Sequence, residues 1–98
     1  MKRLITKLEL VEKDEQGSEE KKLVLSRIGE EDLYRVQYIS NGGELISYLK
    51  KEFNLKENIL LTKKEVGGIL GHFLKYIVEY QKGNSDTKKR FFLHIGVK

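Results

Sequence analysis

Two histidines, a cluster of three glycines, a basic run and a pair of spaced tyrosines are the residues of this chain that could do chemistry or binding. His72 and His94 could act as acid and base, or as two metal ligands. Neither an H-x-H nor an H-x-x-x-H spacing links them, and no Asp or Glu is placed beside both. They read as structural histidines, and a small hydrolase or nuclease built on either is the third-ranked class. Glu30, Glu31 and Asp32 form an acidic run in a turn, which reads as solvated. With no cysteine there is neither a disulfide nor a thiolate metal site. No cofactor and no metal is expected.

The glycines lie in "TKKEVGGILGHFLKYIVEY", Thr62 to Tyr80. A phosphate-binding loop needs its glycines in irregular backbone ahead of a helix, where amides point at the ligand. Thr62 and Glu65 instead form a T-x-x-E capping box, so the helix begins at Thr62 and Gly67, Gly68 and Gly71 fall inside it. Each costs about 1 kcal/mol relative to alanine, so each should have a reason. At roughly 100° per residue, Gly67 and Gly71 lie together on the flank of the apolar stripe, beside Leu74 and Val78. These four are the predicted interface, a groove for the first helix of the chain or for a second copy in a homodimer. Gly68 lies with Lys75 and Glu79 on the polar side, where packing gives it no role, and His72 lies there too. The stretch "LLTKKEVGGILG", Leu60 to Gly71, resembles the first helix of helix-turn-helix and excisionase-type DNA-binding proteins. That resemblance implies a turn and a recognition helix next. The chain continues "HFLKYIVEYQ" in unbroken helical phase, so no base-reading residue is carried over.

Residues suited to nucleic acid lie elsewhere. Alternation along Leu33 to Ile39 puts Tyr34, Val36 and Tyr38 on one face and Leu33, Arg35, Gln37 and Ile39 on the other. If exposed, with Lys7, Lys22 or Arg90 nearby, Tyr34 and Tyr38 could stack bases in a positive field, and Arg35 lies on the same strand. Lys88, Lys89 and Arg90 make a basic run near the C-terminus. Residues 1–40 hold eight Lys/Arg against nine Asp/Glu, whereas residues 41–98 hold eleven against six. A basic end of this kind suits an acidic partner.

The elements that must position these residues follow from the patterning. "LITKLELV" alternates as a strand, and "KLVLSRI" and "LYRVQYI" are two more, joined by "GEED" with Gly29 in the turn. Asn41 with Glu44 resembles a capping box, and Leu45, Ile46, Leu49 and Phe53 have helical spacing, so a first helix follows. Val66, Leu70, Phe73, Ile77 and Tyr80 mark the second helix, and "KKRFFLHIGVK" closes as a strand. The expected fold is α+β: an antiparallel four-stranded sheet (β-β-β-α-α-β) with a helical hairpin packed on one face. The 98 residues suffice for a single domain, 1–98.

No apolar run is long enough to span a membrane and no secretory leader is apparent, so the expected location is cytoplasmic. The leading expectation is a small basic non-enzymatic protein that binds nucleic acid or a nucleoprotein complex. The alternative is a protein-binding inhibitor or adaptor of phage or mobile-element type, using the acidic segments "EKDEQGSEE" and "GEED" as contacts.

Overall fold

The computed structural model describes residues 4–83 and 89–97. Strands β1 (Ile5–Lys13), β2 (Glu19–Arg27) and β3 (Leu33–Ile39) form the expected antiparallel meander. Helix α1 (Glu44–Glu52) follows, then β4 (Leu60–Thr62), α2 (Lys63–Gly83) and β5 (Arg90–Val97). The sheet has five strands, not four, in the order β4-β3-β2-β1-β5, every neighbour antiparallel. The added strand is the apolar run before the capping box. Leu61 pairs with Tyr34 and is buried beneath the helices, which ties three residues to the edge of β3.

Both helices lie on one face of the sheet. Leu8, Leu10, Leu23, Leu25, Val36 and Ile39 meet Leu45, Ile46 and Leu49 of α1 and Val66, Ile69 and Phe73 of α2 in one core. The helices run antiparallel: Glu44 of α1 lies by Tyr76, Tyr48 by His72 and Tyr76, and Phe53 by His72. They are not a simple hairpin, because β4 intervenes. Among the described residues no helix is long and apolar enough to cross a membrane.

The helix starts test two readings of the same signal. At α2 the capping box forms in full: the Glu65 amide donates to the Thr62 hydroxyl (3.2 Å), and the Thr62 amide to Glu65 Oε1 (3.0 Å). At α1 it does not. Asn41 is exposed, the N-cap is Gly43, and no side chain caps the helix. Gly43 has φ 105° and ψ 153°, backbone open essentially to glycine alone. A β-carbon there would also lie 3.1 Å from Lys22 Nζ. Lys22 is an extra residue in β2, beside the register shift between Leu10 and Val11, and its buried ammonium meets Glu20 (3.2 Å) and Glu12 (3.7 Å).

Candidate nucleic-acid interface

Among the described residues, no helix or strand covers the face of the sheet away from the helices. Register fixes which side chains share it. Across the ladder, His94 of β5 lies opposite Glu9 of β1, Glu9 opposite Val24 of β2, and Val24 opposite Tyr38 of β3. The next row toward the start of β1 joins Gly96, Lys7, Ser26, Arg35 and Leu60. Above, Phe92 lies opposite Val11, and Val11 opposite Lys21.

The expected tyrosine pair is broken by a bulge. The register between β2 and β3 shifts between Val24 and Leu25, so Gln37 is an extra residue with no partner of its own. Strict alternation would keep Tyr34 and Tyr38 on one face; one inserted residue reverses the side for everything after it. Tyr34 therefore faces the core at 6% exposure, its hydroxyl donating to the Ile5 carbonyl (3.2 Å). Tyr38 faces out at 41% exposure. Tyr34 is thus removed from the predicted binding set. Gln37 is held at the bulge by the Ser26 hydroxyl, which donates to its Oε1.

The charges around Tyr38 are asymmetric. Glu9 accepts from both Lys21 Nζ (3.0 Å) and Lys7 Nζ (3.3 Å). The hydrogen bond from Lys21, ahead of that from Lys7, holds the Glu9 carboxyl below the usual range against the opposing effect of burial. Lys7, Lys13, Lys21, Arg35 and Arg90 share this face with Glu9 and Glu19, and Glu20 lines its depression, five cations to three carboxylates. Lys7, Glu9, Glu19, Glu20, Lys21, Val24, Gln37 and Tyr38 line a shallow depression of about 460 Å³. Phe92 is also exposed, with Lys13 Nζ 5.9 Å from its ring centroid, a cation–π distance. Sequence reasoning named Lys7 beside Tyr38 but missed Phe92 and Lys21, while Lys22, also named, is buried on the helix side near Gly43. The alternation of β1 and β5 held that signal, but only the strand order joins them.

The other predicted residues are dispersed. Arg35 is exposed on this face, one row from Tyr38. Arg90 is exposed opposite Lys13 at the start of β5. Lys89 is exposed, with Nζ 3.9 Å from Glu12. Lys88 lies outside the described residues.

The histidines are separated by the sheet itself. His94 is exposed on the open face, its ring 6.5 Å from Phe92. His72 belongs to the helix layer, where sequence placed it on a polar side. Its Nδ1 lies 3.0 Å from the Gly68 carbonyl, and its ring meets Phe53 edge-on at 5.2 Å. The expected polar side of α2 is in fact the seam with α1. Nearby, burial first and then the Glu44 carboxylate push the Tyr76 phenol well above its ordinary value. Among the described residues no group of three or more His, Cys, Asp or Glu could hold a metal ion.

The same seam reverses the reading of the glycines. A β-carbon at Gly68 would come within 3.2 Å of the Phe53 ring, so Gly68 is the position that lets α1 approach. At Gly67 and Gly71 a β-carbon would meet nothing within 4 Å. Those two do not serve the packing of α1; they lie on the opposite flank with Leu74 and Val78, which are 61% and 64% exposed. Helix α2 runs from Lys63 to Gly83 without the turn that the helix-turn-helix resemblance implied.

No protein-family model matches this chain, and no curated protein or solved structure matches it either.

Proposed function

We propose that the chain is a non-enzymatic binding protein whose open sheet face takes single-stranded nucleic acid. The observation that carries this reading is Tyr38, exposed beside two lysines that share one carboxylate. A base stacks on an exposed aromatic ring with about 1–3 kcal/mol per base, whatever its identity. The phosphates follow the cations, and Lys7, Lys21 and Arg35 surround the ring within one to two ladder rows. Phe92 with Lys13 supplies a second aromatic and cation across β1.

The test is fluorescence anisotropy with labelled single- and double-stranded DNA and RNA at about 50 and 200 mM salt. Binding should favour single strands, weaken steeply with salt, and fall about tenfold or more in Tyr38→Ala, consistent with one lost stacking contact. Binding lost on neutralising Lys89 and Arg90 but untouched by Tyr38→Ala would move the surface to the start of β5. No binding at the lower salt would overturn the reading in favour of a protein partner.

A further inference from the structure

The two edges of the sheet are unlike. β4 exposes three residues; β5 exposes eight, with no proline and Arg90, at its first position, as the one Lys or Arg. Edges of folded proteins are normally blunted by brevity, proline, charge or a bulge. β4 is blunted by brevity, whereas β5 carries Phe92 at 39%, Ile95 at 50% and Val97 at 51% exposure.

Among the described residues, the helix side of β5 is bare only at its far end, at Ile95 and Val97. Helix α2 starts beside β4 and crosses the sheet to the start of β5, where Tyr76 and Tyr80 meet the Phe91 ring edge-on. Helix α1 packs along the Gly68 and His72 flank of α2. Leu74 and Val78 are exposed on the other flank, and Ile5, Ile95 and Val97 are exposed at the far end of β1 and β5. Ile95 is opposite Leu8 and Val97 opposite Ile5, which places them on the helix side of the sheet.

We propose that β5 pairs antiparallel with β5 of a second copy about a two-fold axis normal to the sheet. A strand can pair with itself in this way because antiparallel order is what the axis generates. The same rotation supplies what each copy lacks. It carries the start of the partner's β5, together with the end of α2 that crosses it, to the bare end of this β5. Each α2 flank, at Leu74 and Val78, then covers the other copy's Ile95 and Val97. Leu74, Val78, Ile5, Ile95 and Val97 supply the apolar side chains of this seam, with Lys75 beside them on α2. The exposed apolar surface of one copy is on the order of 400 Å², the size at which a patch marks an interaction site. With the edge backbone, two copies bury on the order of 1,000 Å² in total, about the lower limit for a specific interface.

Tyr38, Arg35 and Lys21 of the nucleic-acid reading lie away from the seam, whereas Phe92 stands on β5 itself, on the face opposite Ile95 and Val97. Sedimentation velocity on the full chain over about 1–100 µM should show a concentration-dependent dimer. Ile95→Lys and Leu74→Glu should each give monomers at every concentration with an unchanged circular-dichroism spectrum, because both side chains are half or more exposed in one copy. The chain has no cysteine, so single cysteines placed along Phe92 to Ile95 report the axis directly. One or two positions near the strand centre should cross-link, since self-paired residues approach within disulfide reach. A chain that stays monomeric throughout, or a dimer that survives both charge substitutions, overturns the proposal. If the monomeric variants still bind oligonucleotide, the two surfaces are separate, and failure of either reading leaves the other standing.

Discussion

Tyr34 and Tyr38 are four positions apart in β3 yet stand on opposite faces of the sheet, because Gln37 is inserted between them as a bulge. One ring is part of the core and anchors Ile5 through its hydroxyl; the other is open to solvent. The single extra residue decides which tyrosine has a structural role and which is available to a ligand.

The two rings should therefore respond oppositely to truncation. Tyr34→Ala removes a buried aromatic and should cost about 3–5 kcal/mol in chemical denaturation. Tyr34→Phe, which loses only the bond to the Ile5 carbonyl, should cost about 1 kcal/mol. Tyr38→Ala should stay within about 0.5–1 kcal/mol of the parent chain, as expected for an exposed position. Equal losses at both sites would mean that Tyr38 is also packed.

Much of this fold is legible in the sequence, and the misses share a cause. Period-two alternation reveals β1, β2, β3 and β5, and the Thr62–Glu65 box marks α2. Alternation cannot show a bulge, since an inserted residue leaves composition unchanged; only the partner strand reveals that Gln37 or Lys22 is extra. β4 escaped because three residues are too few for any period. Asn41 resembled a cap because its spacing to Glu44 is right. The chain instead enters α1 through the left-handed backbone of Gly43, which a buried Lys22 crowds. The polar arc of α2 read as solvated because nothing local says that Phe53 and Tyr48 come to rest on it.

The three helix glycines should separate under alanine substitution. Gly67→Ala and Gly71→Ala place a methyl in open space, and each should stabilise by up to about 1 kcal/mol through helix propensity. Gly68→Ala gains the same propensity, but its methyl meets the Phe53 ring at 3.2 Å and must push the ring aside. It should be less stable than Gly67→Ala by about 1 kcal/mol or more, in the range of mild overpacking. Thermal unfolding of the three variants at one low protein concentration makes the comparison, and Phe53→Leu should relieve the penalty at Gly68 alone.

Glu9 sets an acid limit on the open face. Its carboxyl is lowered chiefly by the hydrogen bond from Lys21, so the folded state holds its proton less tightly than the unfolded chain does. A lowered folded value contributes stability in full above the ordinary value of 4.5, and loses it as pH falls through the folded value. Glu9→Gln should therefore be less stable than the parent near neutrality and approach it as pH falls below 4.5. Urea titrations across that window measure the gap directly. A gap that is constant with pH would mean that Glu9 acts through packing, with its charge irrelevant.

The Thr62–Glu65 box offers a test of coupling between β4 and α2, because the same residue ends the strand and caps the helix. Thr62 pairs with Leu33 across the sheet edge, while its hydroxyl accepts from the Glu65 amide and donates to the Glu65 carboxylate at 3.1 Å. Thr62→Ala should cost about 1 kcal/mol, the usual value for losing a cap. Glu65→Ala should cost less, since the carboxylate is exposed and the Thr62 amide can turn to water. The double variant should fall short of the sum by about 0.5 kcal/mol or more, because each single change already breaks the shared contact. Hydrogen exchange locates the effect. If the cap also secures the strand, the amides of β4 and the first turn of α2 should lose protection together in Thr62→Ala, while those of β1 and β2 keep theirs. Loss confined to the helix turn would show that β4 is held by Leu61 in the core, independently of the cap that follows it.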